Sequence, residues 1–137
     1  MIKISNIKIG DNAQIVKKFT DEDLLKFSEL SEDKNPIHLN DEYAKQSRYK
    51  KRINYGLLCA SLFSGIFGSK IPGPSCVYKS QTLKFLRPIP VNLEITASVV
   101  VNKVDKKKKI IYFDTLIKEN KKIFISGQAQ IFLPDII

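Results

Sequence analysis

The only histidine of the chain, His38, follows Asp33 by five residues in the segment Ser31-Glu32-Asp33-Lys34-Asn35-Pro36-Ile37-His38. A carboxylate and an imidazole in one proline-stiffened loop can converge on a single water. The carboxylate accepts a proton while the imidazole orients the water or returns a proton. Loops carried on rigid scaffolds are where such groups usually stand. The same spacing also fits a solvated loop or a helix-capping imidazole, since Asp and His pair often without catalysis. A second feature is Asn54-Tyr55-Gly56, which opens a long uncharged run. Glycine at a helix start exposes the first N–H groups, which can hold a developing oxyanion. Gly56 reads equally as an ordinary helix start.

These residues need elements to position them. Ala13, Ile15 and Lys17 alternate with their neighbours and predict a short strand ending near Phe19. Thr20 offers an N-cap hydroxyl, and Asp21, Glu22 and Asp23 suit the positive end of a helix dipole, so a helix is expected over Asp21 to Ser31. The segment from Glu32 to His38 contains Asn35-Pro36 and reads as a loop. Asn40 caps a second short helix, Asp41 to about Gln46, and Arg48 to Arg52 form a basic connector. Leu57 to Ser69 is apolar all round, which predicts a helix buried on most faces. After the turn Ile71-Pro72-Gly73-Pro74, strands are expected over Cys76 to Phe85, Val91 to Val99, Ile111 to Ile117 and Ile125 to Leu133. Four consecutive strands with short turns read as an antiparallel meander, one face of which must be covered. The only apolar cylinder available is Leu57 to Ser69. An α+β fold follows, with the sheet wrapped around one central helix.

The composition narrows the partners. At 137 residues and 15.6 kDa the chain is read as one domain, residues 1–137, and 43% apolar residues supply its core. The net charge of +9 rests on 20 Lys and only 3 Arg. A nucleic-acid reader would use more Arg, and no aromatic platform interleaves with the lysines, so nucleic acid is not the expected partner. Cys59 and Cys76 are too few for a disulfide framework, and no metal-ligand spacing occurs. No signal peptide and no stretch of about 20 apolar residues is present, which predicts a cytoplasmic protein without a membrane partner.

The signature Asp33-x-Asn35-Pro36-x-His38, followed by Tyr43-Ala44 and Gly56-Leu57-Leu58-x-Ala60-Ser61-Leu62-Phe63-Ser64-Gly65, resembles the (R)-specific enoyl-CoA hydratases of the MaoC-like dehydratase family. The likeness runs on through Pro72-Gly73 and Ser80-Gln81-Thr82-Leu83-Lys84-Phe85. It implies the hot-dog fold and a homodimer whose sheets join edge to edge. It also implies reversible syn addition of water to a trans-2-enoyl thioester, giving the (R)-3-hydroxyacyl product. By that resemblance Asp33 and His38 are the catalytic pair, and the backbone N–H of Gly56 polarises the thioester carbonyl. Ser64 lines the acyl pocket, and Asn35 and Tyr55 fall with it among the expected substrate-binding residues. No metal or separate cofactor is expected; coenzyme A or acyl carrier protein carries the substrate. The family commonly has Pro-x-x-His-Gly where this chain has Arg52-Ile53-Asn54-Tyr55-Gly56. That departure touches the pocket wall and leaves the Asp–His pair intact.

Two other readings share the fold. A hot-dog thioesterase often carries its catalytic carboxylate on the central helix, and Leu57 to Ser69 contains none. A non-catalytic acyl-thioester binding module would be expected to lose Asp33 or His38, and both are present. Arg48, Lys50, Lys51 and Arg52 read either as a basic rim that steers an anionic carrier or as a solvated connector. Tyr78 and Phe85 read either as tunnel walls or as plain core.

Overall fold

Each short α-helix in the first third of the chain is started by a side chain. Thr20 and Asp23 form a reciprocal capping box at the start of α1 (Asp21–Ser31). Asn35 accepts from the Ile37 amide at the start of α2 (Pro36–Leu39), and Asn40 from the Tyr43 amide at the start of α3 (Asp41–Lys45). The segment read as a loop thus contains one helical turn, and His38 lies on it. Proline resists a helix interior but suits its first position, where its fixed φ is already helical. The computed structural model describes residues 2–135.

The longest helix, α4 (Gly56–Ser69), buries Cys59, Phe63, Ile66 and Phe67. They join Ile95, Ala97, Val99, Phe113 and Ile131 in one core, with the Phe67 and Phe113 rings 4.7 Å apart. Burial of such side chains contributes roughly 1.5–3 kcal/mol each. Burial on most faces is corrected in one respect. Leu57, Ser61, Ser64, Gly65 and Gly68 lie on an exposed stripe of the helix. Among the described residues no helix is long and apolar enough to cross a membrane.

The strands are β1 (Asn12–Lys18), β2 (Val77–Gln81), β3 (Lys84–Phe85), β4 (Glu94–Asp105), β5 (Ile110–Glu119) and β6 (Lys122–Phe132). Their order in the antiparallel sheet is β1-β4-β5-β6-β2, with β3 also on β6. Ile95, Ala97, Val99 and Val101 point inward at alternate positions of β4, as the period-2 pattern predicts. The β4-β5-β6 meander is present, but the expected four-strand meander is not. β2 pairs with β6 at the far edge, and residues 86–93 carry the chain from there across to β4. The predicted strand Cys76 to Phe85 is also split, because Thr82 crosses Gly127 so closely that a Cβ there would lie 1.8 Å from the Thr82 carbonyl oxygen.

Candidate active site

The loop from Ser31 to His38 is held by its own short polar side chains. Ser31 Oγ donates to the Phe27 carbonyl and accepts from the Asp33 amide at 3.1 Å. Asp33 Oδ1 accepts from the Asn35 amide at 3.0 Å. Asn35 then spends its own Oδ1 on the start of α2. Its role in the structure is that of a cap, and it does not line the clefts described below.

His38 is 9% exposed, and its ring is fixed on two sides. Nδ1 lies 2.7 Å from the Ile53 carbonyl oxygen. A carbonyl can only accept, so the proton of the neutral ring sits on Nδ1 and Nε2 is left as an acceptor. Against the ring face lies Tyr55, with centroids 3.9 Å apart and planes tilted by 32°. The Tyr55 hydroxyl donates to the Asp33 backbone carbonyl at 2.7 Å. Burial pushes the Tyr55 phenol upward, which keeps it a donor. Tyr55 therefore ties the segment bearing the carboxylate to the imidazole.

No side chain caps α4 at Tyr55, unlike the three shorter helices. The first α4 amide with a helical partner is that of Cys59, which donates to the Tyr55 carbonyl. The amides at Gly56 and beyond it are thus open to a ligand oxygen. Phe85 packs over this glycine so closely that a Cβ would lie 2.6 Å from its ring.

Two clefts meet at a shared wall of His38, Gly56 and Phe85. One, of about 370 Å³, adds Asp33, Ser31, Tyr55, Phe27 and Leu57. The other, of about 430 Å³, adds Arg48, Tyr49, Asn54, Leu86, Arg87 and Ile89 among its walls. Asp33, His38, Gly56 and Tyr55 thus line one cleft. Ser64 is not, in the single chain: it stands two helical turns beyond Gly56 on the exposed stripe of α4 and lines neither cleft. Phe85 is a cleft wall, whereas Tyr78 packs edge-on to Phe67 away from both clefts.

The basic connector divides. Arg48 lines the larger cleft. Arg52 is a rim residue no longer: its side chain is 13% exposed and forks between Asp21 (2.8 Å) and Asp41 (2.7 Å). Arg87 joins Arg48 in the wall of the larger cleft, while Arg52 lines neither cleft. Arg87 went unread in the sequence, and Asn54 was noted only as part of the segment that opens the helix, with no role for its side chain. The Asn54 side chain is 4% exposed, and neither its Nδ2 nor its Oδ1 has a partner among the described residues. A lone asparagine in a sequence carries no sign of that.

Fold and site together define a hot-dog domain with an Asp–His pair beside an uncapped helix start. The MaoC-like domain model matches residues 7–122, and the chain belongs to that hydratase and dehydratase family. It is 36% identical over 129 residues to the (R)-specific enoyl-CoA hydratase of Rhodospirillum rubrum, covering 94% of this chain and 90% of that one. It is 32% identical to the mitochondrial 3-hydroxyacyl-[acyl-carrier-protein] dehydratase of Arabidopsis thaliana, covering 95% of this chain and 80% of that one. Among solved structures, the (R)-hydratase from A. caviae involved in PHA biosynthesis superposes with a TM-score of 0.91. The identity there is 35%, over 94% of this chain and 98% of that one.

Proposed function

We propose that this protein is an (R)-specific 2-enoyl-thioester hydratase, which in reverse dehydrates (R)-3-hydroxyacyl thioesters. The observation that carries this reading is that Asp33, His38 and Gly56 line one cleft. A water between the pair donates one hydrogen to the Asp33 carboxylate and the other to Nε2 of His38. As its oxygen bonds to the β-carbon, one of the pair takes the proton and the double-bond electrons move toward the thioester oxygen. The open amide at Gly56 stabilises that oxygen's charge, and one of the pair delivers a proton to the α-carbon, so that the proton taken from water is returned and the addition is complete. In this reading hydroxyl and proton are both delivered from the side on which Asp33 and His38 stand, as the syn addition implied by the resemblance requires.

The carrier arm of coenzyme A or of acyl carrier protein occupies the larger cleft. Arg48 and Arg87 suit its phosphate, since the guanidinium fork matches phosphate oxygens. The unpartnered Asn54 carboxamide, at once donor and acceptor, suits an amide of the pantetheine. The homodimer implied by the resemblance would have exposed Leu57, Val77 and Tyr78 available for its interface.

The test is loss of enoyl-thioester absorbance with crotonyl-CoA and a longer enoyl-CoA, alongside the carrier-protein thioesters. Asp33→Asn and His38→Asn are each expected to lower kcat by about 10²–10⁴-fold in a folded protein, with (R) product from the wild type. Release of free thiol without hydration would make the protein a thioesterase. Binding without either reaction would leave it an acyl-thioester binding module.

A further inference from the structure

We infer that Arg52 is a positioning residue, which sets the direction of the His38 ring by locking the connector to α2. The inference rests on the hydratase reading, but its geometry stands independently.

A helix of one turn cannot hold a ring in place by itself, because it has almost no internal hydrogen bonds to resist fraying. The orientation of His38 must be imposed from outside α2, and the connector supplies it through three adjacent contacts. Arg52 Nη1 donates to the His38 backbone carbonyl at 3.1 Å. The Ile53 amide donates to the Ile37 carbonyl at 3.2 Å. The Ile53 carbonyl accepts from His38 Nδ1 at 2.7 Å. Residues 52 and 53 thus run beside residues 37 and 38 and grip both the backbone and the ring.

What holds the connector there is the rest of the guanidinium. Nη2 reaches Asp21 at 2.8 Å, and Nε reaches Asp41 at 2.7 Å. Asp21 is the first residue of α1 and Asp41 the first of α3, so one side chain draws together the starts of both helices that flank α2. Asp21 foremost, then Asp41, raises the affinity of the guanidinium for its proton. Three acceptors in three directions need a planar fork; a lysine ammonium cannot serve them from one position. Removal of Arg52 frees the Ile53 carbonyl to drift, and Nδ1 then loses the acceptor that selects its tautomer.

His38 is the only histidine, so histidine-selective ¹⁵N labelling reports a single ring. In the wild type the expected spectrum is one Nδ1–H tautomer. In Arg52→Met the ring is expected to populate both tautomers, with kcat down about ten- to a hundredfold and KM changed less than about threefold. Arg52→Lys should fall between. The double variant Asp21→Ala with Asp41→Ala leaves Arg52 in place and removes only its two exposed anchors, and it should shift the same signals if Arg52→Met fails to fold. An unchanged ring spectrum in a folded Arg52→Met protein, or in the double variant if that protein does not fold, overturns the inference. A changed spectrum in a protein whose wild type hydrates no enoyl thioester leaves Arg52 as the positioning residue and removes the hydratase reading instead.

Discussion

The hydroxyl of Tyr55 reaches back 22 residues to the main-chain carbonyl of Asp33, while its ring supports His38. One side chain thus couples the two halves of the Asp–His pair, and the two functions of that side chain separate by mutation. Tyr55→Phe keeps the ring and removes the hydrogen bond. Stability should fall by about 0.5–1.5 kcal/mol, and kcat by about tenfold as the Asp33 segment loosens. Tyr55→Ala removes both and should lower Tm strongly, at about 3–5 kcal/mol. Steady-state kinetics beside thermal denaturation checks the pair. Equal effects from the two variants would mean that the ring contributes nothing.

Asn54 lies in a wall where its polar atoms find no partner among the described residues. Replacing it with valine removes a buried, unsatisfied amide, so the free protein should become more stable by about 1–3 kcal/mol. The same change should raise KM for the enoyl thioester about tenfold, equivalent to one lost hydrogen bond. Stability and KM moving in opposite directions is the diagnostic result. A KM equal to that of the wild type would detach Asn54 from the carrier arm.

Glycines 65 and 127 predict opposite outcomes for the same substitution. A Cβ at Gly65 would meet only Ile15 Cδ1, at 3.5 Å, so Gly65→Ala should stabilise α4 by about 0.5–1 kcal/mol through its helix propensity. A Cβ at Gly127 would press into the Thr82 backbone, so Gly127→Ala should cost more than about 3 kcal/mol by forcing β6 from its neighbour. Chemical denaturation of the two variants side by side measures both.

Burial pushes the Cys59 thiol up to about 12. In the unfolded chain a thiol ionises near about 8.5. Between those values the unfolded state binds fewer protons than the folded one, so stability falls as pH rises. The slope from this one group approaches about 1.4 kcal/mol per pH unit. The pH dependence of ΔG for Cys59→Ala should be flatter than that of the wild type above pH ~9. Parallel curves would show that Cys59 ionises alike in both states.

Local chemistry is what made parts of this protein legible. The bounds of α1 follow from Thr20 and its three acids, and the turns at Asp105–Lys109 and Glu119–Lys121 from charged, polar runs between alternating strands. His38 was legible because it is the only histidine and follows Asp33 by five residues in a proline-stiffened segment, and Gly56 because it opens a long uncharged apolar run. Non-local choices were not legible. Nothing near Val77 says that β2 will pair with β6 instead of β4. Arg52 sits in a run of basic residues that looks solvated, and its acidic partners are 31 and 11 residues away. Ser64 was placed in the pocket by the family resemblance; in the single chain it stands on the exposed stripe of α4, which an uncharged run of this kind does not mark out.

Phe85, the shared wall of both clefts, is hung on the sheet by its pairing with Ile125 of β6. That strand follows every other strand in the chain, yet it lies inside the sheet, between β5 and the edge formed by β2 and β3. During synthesis β2 and β3 emerge some 40 residues before their partner and have nothing to pair with until it arrives. The ladder from β1 through β5 can assemble earlier. Closure of the two clefts is therefore a late event in folding, and a growing chain passes through an interval in which its central helix is present and the candidate site is still open on one side.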